Sequence, residues 1–110
     1  MVEPTDYRQI LDSLVTAVIM IDSNLQLSYL NSAAEVLLCV SGDQVIGHAI
    51  SEYLQEQDGN STQLVHALES QHPYTKRHTI WRLHNNNEIT VDYSVDPHPD
   101  GQSLLIEVQP

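Results

Sequence analysis

The side chains best suited to chemistry in this chain are its six histidines and single cysteine, residue types that bind metals or act as nucleophiles. His78 and His84 share a face of one alternating segment. In extended chain they would stand roughly 20 Å apart, too far to bind one ion together. The sequence contains no Gly-x-Gly-x-x-Gly, Walker loop or paired-histidine motif, and no nucleophile and base pair by spacing. We therefore expect no catalytic, metal-binding or cofactor-binding residue here.

Charged residues cluster in the C-terminal half. Three of the four cations, Lys76, Arg77 and Arg82, lie in one segment. On the following segment, alternation puts a polar group on one face: Asp92, Ser94 and Asp96. Glu107 is expected beside them on the adjacent strand. The first interpretation is a solvated sheet face, because exposed ion pairs contribute only about 0–1 kcal/mol each. The alternative is a contact surface for a partner domain.

Two other residues invite a functional interpretation. Cys39 follows the apolar pair Leu37-Leu38, so we expect a buried core residue rather than a reactive thiol. Alternation places Trp81 on the same strand face as Arg77, Thr79 and Leu83, and Lys76 on the other face. We expect the Trp81 ring to pack in the core. On the outer sheet face it would instead be an interface anchor, since aromatic residues are enriched at binding hot spots.

The elements that must position these side chains begin with two strands and a helix. Ala17 to Asp22 is a short apolar run rich in β-branched residues, which is typical of a buried strand. A turn at Ser23-Asn24 leads into a second alternating strand ending at Leu30. Asn31 and Ser32 then predict a helix N-terminus, and Glu35 stands where a capping box requires it.

The rest of the chain predicts one more helix and three strands. The segment from Gln55 to Ser61 is polar and predicts a loop, after which a helix runs to about Gln71. Alternation of apolar and polar residues then predicts strands over 75–84, 88–96 and 103–108. On the second of these, Ile89, Val91, Tyr93 and Val95 are expected to point inward. Helices inserted into one antiparallel sheet give an α+β fold with the helices on one face.

The N-terminal segment predicts a short amphipathic helix from about Asp6 to Val15. Its apolar stripe consists of Ile10, Leu11, Leu14 and Val15. The stripe must be buried, and two alternatives remain open: packing on its own sheet, or pairing with the same stripe of a second subunit. These four residues are the candidate dimer interface.

Length, charge and cysteine content narrow the class of protein. A chain of 110 residues is expected to form one domain. Its net charge of −11 argues against binding nucleic acid or an anionic membrane surface. One cysteine excludes an internal disulfide. No apolar run reaches the ~20 residues that span a bilayer, and the N-terminus lacks a signal-peptide core, so we expect a cytoplasmic protein.

The order and spacing of many positions resemble the PAS family. They are Ile21-Asp22, Leu27-x-Tyr29-x-Asn31-x-Ala33-Ala34, Leu37-Leu38, Ser41, Val45-x-Gly47, Leu54 and the Asp100-Gly101 turn. The resemblance runs from about Tyr7 to Val108. It implies a PAS fold with a five-stranded antiparallel sheet of order 2-1-5-4-3, helices on one face and an N-terminal helix. The whole chain, 1–110, would be one PAS domain, with residues 1–15 as a cap helix and 16–110 as the core.

A narrower resemblance is to the N-terminal PAS domain of NtrB-type sensor histidine kinases. It rests on the sequence from Gln9 to Leu14 (QILDSL) and on Leu104-Leu105-Ile106-Glu107, which is similar to that family's last strand before the kinase. The resemblance implies a cytoplasmic parent kinase that phosphorylates and dephosphorylates a response regulator of nitrogen-controlled transcription. A PII signal protein would govern that kinase, and kinase activity would lie beyond Pro110.

Two functions follow as hypotheses. The first is a non-catalytic regulatory module that forms a homodimer and biases a downstream kinase domain. The second is a small-molecule- or cofactor-sensing PAS domain of another signalling protein. Its pocket would be lined by residues that could equally form a filled core: Val18, Met20, Leu38, Val40, Leu64, Leu68 and Val91. His66 lies near the position from which haem-binding PAS domains supply a ligand, but a helix-surface histidine is the favoured interpretation, and no cofactor is expected.

Overall fold

The computed structural model describes residues 16–56 and 62–109. Six strands alternate with three short α-helices and one turn of 3-10 helix. The strands are β1 (Ala17–Asp22), β2 (Leu27–Leu30), β3 (Leu54–Glu56), β4 (Tyr74–Leu83), β5 (Glu88–Pro97) and β6 (Ser103–Gln109). The helices are α1 (Ser32–Leu38), α2 (Gly42–Val45), the 3-10 turn (Ile50–Glu52) and α3 (Thr62–Ser70).

All six strands form one antiparallel sheet in the order β2-β1-β6-β5-β4-β3. The five predicted strands occur in the predicted spatial order, but the expected strand count of five is wrong. The additional strand is β3, whose Leu54 pairs with Leu83 and whose Glu56 pairs with Trp81 at the sheet edge. Its sequence, Leu-Gln-Glu, is too short to show the alternation of a strand, so only pairing with β4 makes it one. The predicted N-terminal helix lies outside the described residues.

The core fills the helix-covered face of the sheet. On β1, Ala17, Ile19 and Ile21 belong to the core and are at most 2% exposed. Their neighbours Val18 and Met20 point to the opposite face, because side chains alternate along a strand. The prediction that Val18 and Met20 line a pocket is therefore wrong, because both side chains lie on the sheet face away from the helices.

The helices cover one face of the sheet, as the sequence predicts. α1 packs on β1 and β2, and α3 packs on β5 and β6. Their fully buried anchors are Ala34, Leu38 and Ala67, and small side chains at two of these positions let the helices approach the sheet closely. On β5, the residues predicted to point inward are in or against the core: Ile89, Val91, Tyr93 and Val95.

Asn31 fixes the junction between sheet and helix. Its side chain is fully buried, and its Oδ1 accepts hydrogen bonds from the backbone N–H groups of Ala34 and Val18, both at 2.9 Å. Its Nδ2 donates to the carbonyl of Thr16 at 3.0 Å. The bond to Ala34 is an N-cap for α1, and the other two hold the start of β1. One amide therefore satisfies backbone groups of both elements.

The end of α1 departs from two sequence-based expectations. Glu35 does not close a capping box with Ser32; its Oε2 instead accepts from the Gly42 N–H at 2.6 Å and draws α2 toward α1. Cys39 ends the helix in the left-handed conformation with φ of 56° and is exposed. The prediction that Cys39 is a buried core residue is therefore wrong. The helix terminates there and turns the thiol outward.

Replacing Asn31 by alanine should lower the free energy of unfolding by about 2–4 kcal/mol. The substitution removes the N-cap of α1. It also removes the buried Asn31 Oδ1 that accepts hydrogen bonds from the N–H groups of Val18 and Ala34. Urea unfolding followed by circular dichroism measures the loss.

Ser41→Ala is the matched control for this prediction. Ser41 occupies the N-cap position of α2 but makes no side-chain capping hydrogen bond, so its loss should change stability by less than about 0.5 kcal/mol. Equal losses in the two variants would show that the Asn31 side chain stabilises the protein no more than a residue that makes no capping hydrogen bond.

Candidate functional site

A cavity of about 300 Å³ lies between the helical segments and the β3 side of the sheet. Its walls are mainly apolar and aromatic, with a few polar side chains among them. The lining residues are Ile50, Ser51, Leu54, Gln55, Glu56, Gln63, Leu64, Tyr74, Trp81, Tyr93 and Ile106. This volume is at the lower end of the range for small-molecule sites. The cavity therefore suits a small ligand.

Glu56 places a carboxylate against this cavity. Its side chain is only 12% exposed, and its Oε2 accepts from Lys76 Nζ at 2.9 Å. Its Oε1 accepts from the Tyr93 hydroxyl and, at a longer 3.4 Å, from Trp81 Nε1. A nearly buried charge is costly unless it is paired and hydrogen-bonded. Here one cation and two neutral donors meet both oxygens, and we call these four residues the Glu56 cluster.

A bulge in β4 brings Lys76 into the Glu56 cluster. The register of β4 against β5 shifts between Lys76 and Thr79, and His78 in the bulge has φ of 53°. The Asp92 carboxylate supports this unusual backbone by accepting the His78 N–H at 2.9 Å. In a regular strand, Lys76 and Trp81 would point to opposite faces, because they are five positions apart and side chains alternate. The bulge puts both on the cavity side.

Three aromatic rings form adjoining cavity walls. The ring centroids of Tyr74 and Tyr93 are 6.1 Å apart with planes inclined by 77°, and those of Trp81 and Tyr93 are 5.1 Å apart with planes inclined by 50°. The prediction that Trp81 packs in the core is confirmed, since it is 2% exposed. Because the rings are inclined rather than stacked in parallel, they form a corner beside the Glu56 carboxylate.

Burial also changes the acidity of the two phenols. Desolvation is the main reason that the pKa of Tyr93 is raised well above its ordinary value, and its hydrogen bond to Glu56 raises it further. Desolvation likewise raises the pKa of Tyr74, partly opposed by its hydrogen bond with Tyr93. Both phenols therefore remain protonated at neutral pH, and Tyr93 can donate to the carboxylate.

The residues assigned to a pocket from sequence fall in three places. Leu64 lines the cavity. Leu38 and Val91 are buried within the core, and Val40 and Leu68 pack against it. Val18 and Met20 are on the other sheet face, as described above. The four candidate dimer residues lie outside the described part of the chain: Ile10, Leu11, Leu14 and Val15.

The histidines do not form a metal site in the described part of the chain. Within residues 16–56 and 62–109, no group of three or more His, Cys, Asp or Glu side chains could hold a metal ion. His66 is exposed on α3, and His84 Nε2 lies 3.1 Å from the carbonyl of Leu38. Over the same residues, no helix has the length and apolar character needed to cross a membrane.

Sequence reasoning missed the Glu56 cluster as a unit. It placed Tyr93 and Trp81 inward, but it assigned Glu56 to a loop and Lys76 to the opposite face. The two errors have separate causes, the edge strand β3 and the bulge in β4. One feature of the sequence did point to this cluster. The chain has no phenylalanine, yet three aromatic residues lie on neighbouring strands: Tyr74, Trp81 and Tyr93.

The family model described as the PAS fold matches residues 5–110. The chain belongs to the PAS family. Over 105 residues, 96% of the chain, it is 30% identical to the sensory histidine kinase/phosphatase NtrB of Escherichia coli O157:H7. It spans 30% of the length of that relative. The NtrB-type resemblance found in the sequence is thus confirmed as a similarity.

Solved structures show the same fold. The PAS domain of nitrogen regulation protein NR(II) from Vibrio parahaemolyticus is 21% identical, with a TM-score of 0.77, and the match covers 93% of this chain and 94% of that one. A domain of a sensory box sensor histidine kinase/response regulator from Geobacter sulfurreducens is 15% identical, with a TM-score of 0.79 and coverage of 96% and 92%. At these identities, the likeness shows the fold alone.

We expect the protein to lose stability as pH rises above about 10, the ordinary pKa of tyrosine. Above that pH the unfolded chain releases phenol protons that Tyr74 and Tyr93 retain when folded, so deprotonation favours the unfolded state. Urea unfolding midpoints measured between neutral pH and pH 11 should fall along this range. In Tyr93→Phe the alkaline decline should be shallower, although stability at neutral pH is lower.

Tyr53→Phe is the control for alkaline stability, because Tyr53 packs on His48 and His84 rather than in the Glu56 cluster. This variant should keep the alkaline decline of the wild-type protein. An unchanged decline in Tyr93→Phe as well would contradict the assignment of the effect to the buried phenol.

Proposed function

We propose that this chain is a non-catalytic sensory and dimerisation PAS domain of a cytoplasmic two-component sensor histidine kinase, of the type that controls nitrogen regulation. The observation that carries the proposal is the 30% identity to NtrB over 96% of the chain. The same fold in the PAS domain of nitrogen regulation protein NR(II) supports it. Residues 1–15 would act as a cap helix and 16–110 as the PAS core.

Catalysis in this proposal belongs to the parent chain. NtrB is named a sensory histidine kinase/phosphatase, and this chain spans only 30% of its length. We place the phosphotransferase and phosphatase activities of the parent in that remaining portion. The substrate would be a response regulator, and a PII signal protein would set the balance between the two activities.

A dimer would connect this domain to kinase control. The apolar stripe Ile10, Leu11, Leu14 and Val15 would meet the same stripe of a second chain. Its last residue directly precedes Thr16, whose carbonyl is held by the Asn31 amide. The start of β1 is thereby fixed to α1, so a change in dimer packing would be transmitted to a rigid sheet. A preference of a few kcal/mol between two packings is enough to shift the parent between its two activities.

Leu14→Glu should weaken the dimer, because it places a charge in the proposed apolar interface. The sheet should stay folded, as judged by circular dichroism. Light scattering over a range of protein concentrations should show the mass moving from dimer toward monomer, with a dissociation constant at least about tenfold higher.

Val36→Glu is the matched control for the dimer experiment. Val36 is an apolar helix residue that is 78% exposed and does not belong to the proposed stripe, so this variant introduces the same charge outside the stripe. It should keep the wild-type mass. A Leu14→Glu protein that remains as dimeric as Val36→Glu would rule out the stripe as the interface.

The nitrogen-regulation part is tested in the full-length parent kinase. With its response regulator present, addition of a PII signal protein should accelerate dephosphorylation of the regulator, followed as loss of radiolabelled phosphate. Bovine serum albumin at the same concentration is the control for non-specific effects. A parent that does not exchange phosphate with a response regulator, or that ignores the PII protein, would contradict this assignment.

A further inference from the structure

The cavity beside Glu56 has the composition of a site for an organic cation. We propose that it binds a small quaternary ammonium compound, with the cationic head in the corner formed by Tyr74, Trp81 and Tyr93. This proposal concerns ligand binding to the chain itself. It stands independently of which kinase carries the domain and of how the domain dimerises.

The aromatic walls of the cavity can attract a cation. All three rings line the cavity, and their planes are inclined at 77° and 50° to one another. A cation within about 6 Å of a ring face is attracted by the negative face of the π system, and the attraction grows when the site is desolvated. Inclined rings can present more than one face to the same bound group. Such an arrangement favours a cation over a neutral ligand.

The charge of Glu56 favours a cationic ligand. Glu56 lines the cavity, and its side chain is only 12% exposed. Its counter-ion Lys76 contacts Oε2 at 2.9 Å but is not among the lining residues, so among the described residues the charged group that lines the cavity is this carboxylate. An anionic ligand would be repelled from this side. The overall charge of −11 further raises the local concentration of cations.

The hydrogen bonds of Glu56 decide which cation fits. Its two oxygens already accept from Lys76, Tyr93 and Trp81. A primary ammonium would need acceptors of its own and would have to displace these donors. A quaternary ammonium group has no N–H and needs only charge and ring faces. The polar lining residues Ser51, Gln55 and Gln63 can bind a hydroxyl or amide on the ligand's other end.

Choline is the probe that tests this proposal, because it combines a trimethylammonium head with a hydroxyl tail. Trp81 is the only tryptophan of the chain and lines the cavity, so its fluorescence reports binding directly. We expect a saturable change with one choline per chain when choline chloride replaces sodium chloride at constant ionic strength. Isothermal titration calorimetry gives the stoichiometry.

Two ligands separate charge from shape in this experiment. The neutral isostere 3,3-dimethylbutan-1-ol has the same outline without the charge and should bind at least about tenfold more weakly. Ethanolamine keeps the charge but carries a primary ammonium and should also bind more weakly than choline. The absence of saturable choline binding, equal binding of the neutral isostere, or tighter binding of ethanolamine would each overturn the proposal.

Protein variants locate the site. Glu56→Gln should weaken choline binding at least about fivefold, and Tyr74→Leu, at a half-buried wall position, should do the same. Glu88→Gln makes the same change of charge in an exposed pair with Arg82 and should bind choline like the wild-type protein. Unchanged affinity in Glu56→Gln, or an equal loss in Glu88→Gln, would overturn the assignment. If Glu56→Gln does not fold, Tyr74→Leu and the ligand series decide.

Discussion

The structure depends on one buried amide at the junction of its first strand and first helix. Asn31 caps α1 and forms hydrogen bonds with the backbone of Thr16, directly before β1, and of Val18 within β1. A strand and a helix that met only through apolar contacts could slide against each other, because the hydrophobic effect is not directional. Hydrogen bonds have defined geometry. The Asn31 side chain therefore sets where the helical layer sits over the central strands.

A second polar group performs a related task at the other side of the sheet. β3 has three residues and, within the described part of the chain, pairs only with β4. Glu56 supplements the few backbone bonds of this strand with side-chain bonds to Lys76 and Trp81 on β4 and to Tyr93 on β5. The bulge in β4, held by Asp92, is the condition for that arrangement. The edge strand, the bulge and the carboxylate thus form one unit, and the cavity lies beside it.

The two polar groups relate to the two different roles that we propose for the domain. Asn31 holds the beginning of β1, directly after the stripe that we propose as a dimer interface. The Glu56 cluster faces the cavity that we propose as a ligand site, near the opposite edge of the sheet. β1, β6 and β5 connect them as an unbroken antiparallel ladder.

The sequence by itself determined the antiparallel α+β fold, five strands in their spatial order, the Asn31 cap and the inward face of β5. The fold class, the cap and the inward face of β5 follow from alternation, turn residues and capping, which act between residues close in the chain. The spatial order of the strands follows from the resemblance to the PAS family. Only the tertiary structure decided that Leu54–Glu56 becomes a strand, that the helix-covered face of β1 excludes Val18 and Met20, and that Lys76 joins Trp81 on one face. Each depends on pairing between distant segments. The triplet Leu54–Glu56 is too short to show alternation and becomes a strand only beside β4. A bulge changes the sheet face to which the preceding residues of its strand point, without leaving a mark in the local sequence pattern.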